Sequence, residues 1–111
     1  ELSRRSFDNG LCHIFVPHTT AGMTINENAD PSVKEDMIEI LNKLVPYSSN
    51  YKHLEGNSDS HVKASLVGFS VMVAVRNGSL CLGCWQGIQF CEFDGPRTRN
   101  LEINLIPGLL K

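Results

Sequence analysis

The chain has 111 residues, 41% of them apolar and 20% charged, with a formal charge of −2. That is one domain of ordinary globular composition. Its charge leaves no basic footprint for nucleic acid, and no apolar run approaches the roughly 18–20 residues of a membrane helix.

Residues 1–9 are polar and carry no periodicity. No apolar stretch follows Arg4-Arg5, so this segment is not a signal peptide. From Gly10, Leu11 to Val16 reads as a strand that is apolar on both faces apart from His13. His13 reads as a strand-face histidine, not a ligand.

The next stretch, Pro17–Pro31, carries His18, three threonine hydroxyls (Thr19, Thr20, Thr24), the carboxamides of Asn26 and Asn28, and the carboxylates of Glu27 and Asp30. A segment that polar between two core elements either solvates itself or lines a pocket. Met23-Thr24-Ile25 is its expected strand. Asp30 then caps a helix with Pro31 in its first turn, and Glu35 and Asp36 lie near the positive end. Val33, Met37, Ile40, Leu41 and Leu44 recur at helical spacing on one face, and Pro46 ends the helix.

A loop rich in Ser, Asn and Gly covers 46–57. A short helix is predicted from Ser58 or Asp59, with Asp59 as its capping acid, to Gly68; Val62, Leu66 and Val67 can face the core. Phe69 to Val75 is a strand, Asn77-Gly78 a hairpin turn, and Leu80 to Phe90 the returning strand, with Trp85 inside it. Asp94-Gly95-Pro96 is a turn, and Leu101, Ile103 and Leu105 alternate in a closing strand. The order β-β-α-α-β-β-β argues an α+β domain, two helices packed on one face of a mainly antiparallel sheet. A core this small has few residues to spare, so contacts between copies can carry part of the stability.

The four cysteines are Cys12, Cys81, Cys84 and Cys91. Cys81-Leu82-Gly83-Cys84 has metal-site spacing, but on a strand its two sulfurs would point to opposite faces. Buried, reduced thiols are the expectation, and with them a cytoplasmic setting.

Similar polar residues return at Tyr51–Lys63 and Glu92–Arg99. The three stretches are expected to converge on one site. His18, His53 and His61 fall at a strand end, in a loop and in the first turn of a helix, where side chains can meet. Three imidazoles are enough for an open site on a divalent metal ion, zinc or magnesium. Asp59, Glu55 and Asp30 could orient the rings. An anion is the other candidate occupant. Gly56-Asn57-Ser58 leads into a helix N-terminus, Thr19 and Thr20 carry hydroxyls, and Lys63, Arg97 and Arg99 carry charge. The same residues also suit a plain capped helix with solvated cations. Glu27, Asp30 and Asp94 serve as acid or base only if a desolvated pocket holds them.

Five segments recur together in one known family: His18-Thr19-Thr20-Ala21; Asn26-Glu27-Asn28-Ala29-Asp30-Pro31; Asn57-Ser58-Asp59-x-His61-x-Lys63-Ala64; Gly83-x-Trp85-Gln86-Gly87-Ile88; and Phe93-Asp94-Gly95-Pro96-Arg97. On these the chain resembles the YjbQ-like family, over about Gly10 to Leu105. Members usually carry a further N-terminal strand and helix, most of which is missing here, and commonly have Thr where this chain has Cys84. The resemblance implies a single α+β domain, a homotrimer, and a polar pocket near a subunit boundary. It also implies a thiamine-phosphate synthase-like activity, joining a pyrimidine diphosphate to a thiazole phosphate with release of pyrophosphate.

The resulting assignment gives His18, His53 and His61 as metal ligands and His18, Glu27 and Asp59 as acid/base or orienting groups. Thr19, Thr20, Asn26, Asn57, Lys63 and Arg97 are placed on a phosphorylated metabolite. The alternatives are a trimeric module that binds an anionic metabolite without chemistry, and a metal-dependent hydrolase of a phosphorylated small molecule. Neither nucleic acid nor membrane is expected as a partner.

Overall fold

A computed structural model describes residues 7–47, 51–53 and 56–108. In chain order its elements are β1 (Gly10–Phe15), β2 (Ala21–Glu27), α1 (Pro31–Leu44), α2 (Ser58–Val67), β3 (Ser70–Arg76), β4 (Ser79–Leu80), β5 (Gln86–Glu92) and β6 (Glu102–Pro107). The architecture is α+β and every strand pairing is antiparallel. The strands fall into two sheets. One has the order β4-β3-β1-β6, the other is the pair β2-β5.

The core lies where these sheets meet. Cys12, Ile14 and Val16 point inward from β1 and its end, against Val75 of β3 and Ala21 and Met23 of β2. Their alternation along β1 follows from the two-residue repeat of a strand. The outward set, Leu11, His13 and Phe15, is half-buried. His13 is a strand-face residue as expected, its ring stacked with Phe15 and its Nδ1 3.3 Å from the Asn104 amide.

Asn77 and Gly78 turn β3 into β4 with φ of 51° and 76°, the left-handed pair an Asn-Gly hairpin supplies. The returning strand is short, however. It ends at Leu80, and 81–85 is a loop that carries the chain across to the second sheet. Trp85 is therefore in a turn and 65% exposed, not inside a strand.

Helix α1 starts and stops where its sequence says. The Asp30 carboxylate accepts from the Ser32 N–H at 2.9 Å, which also holds the carboxyl below its usual range. None of its residues is buried. Its apolar face, with Met37, Ile40 and Leu41, forms one wall of a groove of about 640 Å³ whose other wall is Val67, Ile88 and Phe90. Only α2 packs closely on a strand, β2.

That packing depends on Gly22. The Met23 N–H donates to the Gly68 carbonyl at 3.0 Å, and a Cβ on Gly22 would lie 2.6 Å from the same oxygen. Backbone sits on both sides, so no side chain can swing away. Gly22→Ala is expected to cost about 1–2 kcal/mol, measured as a lower urea midpoint with an unchanged slope; a neutral result removes this contact from the account.

Among the described residues no helix is long and apolar enough to cross a membrane.

Candidate functional site

Helix α2 buries its polar side. Asp59, Ser60, Lys63 and Ala64 are covered, while Val62 is 42% and Leu66 63% exposed. Of the residues expected to meet the core, Val62 and Leu66 are thus turned outward, while Val67 is half-buried beside Gly22. Asp59 does not cap the helix either. Asn57 is the N-cap residue, and its side chain makes no capping bond. Asp59 instead pairs with Lys63 one turn along the same helix, and the Asn57 side chain reaches Asp94.

Longer-range bonds join the three polar stretches. The Asn57 amide donates to Asp94 Oδ2 at 2.7 Å, and the Ser60 hydroxyl to the Phe93 carbonyl at 2.6 Å. The Phe93 N–H donates to the Thr20 carbonyl at 3.1 Å. Arg99 donates from Nη2 to the Thr20 hydroxyl at 2.8 Å and from Nε to Glu92 Oε1 at 2.7 Å. The Asn100 N–H donates to His18 Nε2 at 2.9 Å. The segment 92–100 thus lies between the start of β2 and the start of α2, bonded to both. Convergence of the three stretches is what the structure shows.

Charge in this cluster is paired. Lys63 Nζ lies 3.2 Å from Asp59 Oδ2 with both side chains under 10% exposed, and donates at 2.7 Å to Asn42 Oδ1 on α1. Arg97 grips Asp94 through its carbonyl and Oδ2, each at 2.8 Å. Arg99 holds the Glu92 carboxyl down to about 2, chiefly by direct hydrogen bonds, and is itself raised by them. Of the three cations, Arg97 is the half-open one, at 52% exposure. An ion pair at that exposure holds its geometry by about 0–1 kcal/mol, so a phosphate could take the guanidinium from Asp94 at little cost. Lys63 and Arg99 are fastened inside. Lys63, expected on a substrate, is a buried link between the two helices.

Among the described residues, two buried acceptors in the cluster have no donor, Asn57 Oδ1 and Asp59 Oδ1. Buried carboxylate and amide oxygens are almost always satisfied. These two are the unsettled groups of the site.

The imidazoles divide. His53 and His61 meet edge to face, ring centroids 5.3 Å apart. His18 does not join them as a third ligand: among the described residues no three His, Cys, Asp or Glu side chains of one chain are arranged to hold a metal. Its Nε2 accepts from the Asn100 backbone, which in a neutral ring places the proton on Nδ1. The expected His triad is therefore not assembled within a single chain. Two imidazoles fall short of the three protein ligands of a catalytic zinc site.

Glu27 and Asn26 lie away from the cluster. In the β2–β5 register Ala21 faces Glu92, but Glu27 faces Gln86 at the far end, about 20 Å along the strand. There the Asn26 side chain accepts from the Glu27 N–H, and the Glu27 carbonyl accepts from the Gln89 amide. Thr19 is exposed beside the site and Thr20 is buried within it. Glu55 lies outside the described residues. Asp94 and Arg99, candidates for acid/base work and for anion binding, serve here as ion-pair partners, while Glu92 and Asn100, which also organise the cluster, carry no such expectation; Asn100 lies just past the Glu92–Arg99 stretch.

The fold and this network define an antiparallel α+β protein with a hydrogen-bonded polar cluster where one strand and one helix begin. The family model for UPF0047 protein YjbQ-like matches residues 1–108, and the chain belongs to that family. It is 54% identical to a UPF0047 protein of Methanocaldococcus jannaschii over 95% of this chain and 76% of that one. With YugU of Bacillus subtilis it shares 51%, over 95% and 80%. A crystal structure of a YjbQ/UPF0047 family protein from Clostridium acetobutylicum superimposes with a TM-score of 0.92 at 50% identity, covering 95% of this chain and 81% of that one.

Proposed function

We propose that the chain is an enzyme acting on a phosphorylated small molecule, with thiamine-phosphate synthase-like transfer as the activity to test. The observation that carries this reading is the meeting of His53 and His61 beside the start of α2. A pair of imidazoles can hold or pass a proton near neutral pH. The helix start suits the phosphate of the substrate, and Arg97 is the cation free enough to turn toward a departing pyrophosphate.

A divalent ion stays within the proposal as a centre completed between copies of the chain, since His53 and His61 supply two ligands and a third has to come from elsewhere. When bound it would offset charge on the leaving group. A homotrimer fits this need, and the uncovered apolar groove along α1 fits an assembly.

The test supplies purified protein with the pyrimidine diphosphate and thiazole phosphate and follows pyrophosphate release. Wild type is expected to turn over, and His53→Ala and His61→Ala to fall about 100-fold or more while keeping wild-type thermal stability. Elemental analysis is expected to find a stoichiometric divalent metal in wild type and none in either variant. Wild type without pyrophosphate release overturns the transferase reading; metal-free wild type, or full retention in both variants, removes the metal.

A second reading is favoured by the engagement of Lys63 and Arg99 with carboxylates, which leaves them little charge to offer a departing group, while the half-open Arg97 can still hold an anion. It is a module that binds a phosphorylated metabolite and performs no chemistry. It predicts ligand-induced stabilisation without product.

A further inference from the structure

Cys81 and Cys84 are both exposed, unlike the other two cysteines. Cys12 is buried and Cys91 half-buried, and burial pushes both of those thiols up, away from the reactive thiolate. The strand geometry that would have sent the 81 and 84 sulfurs to opposite faces is absent, because β4 ends at Leu80 and β5 begins at Gln86.

The loop between them is pinned at its ends. The Cys81 N–H donates to the Ala74 carbonyl at 2.8 Å, extending the β3–β4 hairpin by one bond. Cys84 lies in a turn closed by the Gln86 N–H on the Gly83 carbonyl at 3.0 Å, and the Gln86 side chain accepts from the Gly83 N–H at 2.7 Å. Leu82 and Gly83, outside both strands, separate the cysteines. Three extended residues span about 10 Å, whereas a disulfide takes Cα atoms about 4.4–6.8 Å apart. The Gly83 N–H bond to the Gln86 side chain lies at the exposed surface, where water can replace it, so rotation at Leu82 and Gly83 can take up that difference.

The geometry points to Cys81 and Cys84 as a thiol-modification site that is bridged reversibly by exchange with a low-molecular-weight disulfide. One protein thiolate attacks the disulfide RSSR, forming a mixed disulfide and releasing RS⁻. The second protein thiolate attacks the protein sulfur of that adduct, closing the bridge and releasing the second RS⁻. Overall, two protein thiols and RSSR become one protein disulfide and two RSH, so the two electrons and two protons pass from the chain to the small molecule.

The native chain is equilibrated with glutathione and glutathione disulfide at fixed ratios, quenched in acid, and examined by thiol counting, intact mass and peptide mapping. Two of the four thiols are expected to disappear with the loss of two hydrogens and no added glutathione, and the bridge to map to Cys81 and Cys84. Cys84→Ser is expected to trap a glutathione adduct on Cys81, and Cys12→Ser to bridge like wild type. Four thiols surviving the most oxidising buffer overturn the proposal. So do stable adducts on both cysteines without a bridge, a bridge that maps to Cys12 or Cys91, or one that links two chains.

Discussion

Lys63→Met is expected to destabilise the fold by about 3–5 kcal/mol, the usual cost of removing one partner of a buried ion pair. Methionine matches much of the lysine volume, so the loss is electrostatic. It leaves the Asp59 carboxylate, 3% exposed, without the ammonium at Oδ2, when its Oδ1 already has no donor among the described residues. It also frees Asn42, through which α2 holds α1. Chemical denaturation measures the effect. Adding Asp59→Asn to Lys63→Met is expected to recover part of the loss, because the double variant no longer buries an unpaired charge. A single-variant cost below about 1 kcal/mol would show that solvent reaches the pair, and that the cluster is not the closed unit described here.

Arg99→Met is the second large effect, expected at about 2–3 kcal/mol at neutral pH. Arg99 is 8% exposed at its side chain and is the donor that ties Glu92 to Thr20. The same bond predicts a pH dependence. The Glu92 carboxyl is lowered from 4.5 to about 2 in the folded chain, first by the Arg99 hydrogen bonds. A depressed folded value stabilises the native state above the unfolded value of 4.5, and that contribution is lost as pH falls from 4.5 toward 2. Glu92 is partly open to solvent, so screening cuts the contribution to roughly 1–2 kcal/mol. Wild type should lose that much more stability than Arg99→Met between about pH 5 and pH 2. Parallel pH profiles for the two would sink the assignment.

Legibility from sequence followed the range of the interaction. Helix α1 was readable at both ends because its signals are local: Asp30 bonds a residue two away, and Pro46 blocks the next turn. The Asn77-Gly78 turn and the Gly68 terminus were readable for the same reason. Glu27 was not. Its neighbours in sequence place it beside His18, yet a strand carries successive residues away from a point at over 3 Å each, and only the pairing with β5 shows which end of β2 the other stretches reach. The loop 81–85 reads as strand because its composition is apolar, and nothing local says that the chain is crossing between sheets. Helix α2 reversed the usual rule, since periodicity assigns apolar residues inward and has no way to foresee that Asp59 and Lys63 find each other there. The convergence of three polar stretches was visible only as a recurrence of residue types; their hydrogen bonds, across 33 to 82 positions of sequence, were not.

A rod of secondary structure held by oily contact can roll a few degrees and keep most of its grip. α2 has little of that freedom, because Asn57 and Ser60 aim single bonds at fixed oxygens of the 92–94 segment while Gly68 is clasped at the opposite end. Its angular setting is keyed, and His61 rides on the keyed part. An imidazole mounted in this way holds its bearing toward any incoming molecule without needing that molecule to set it.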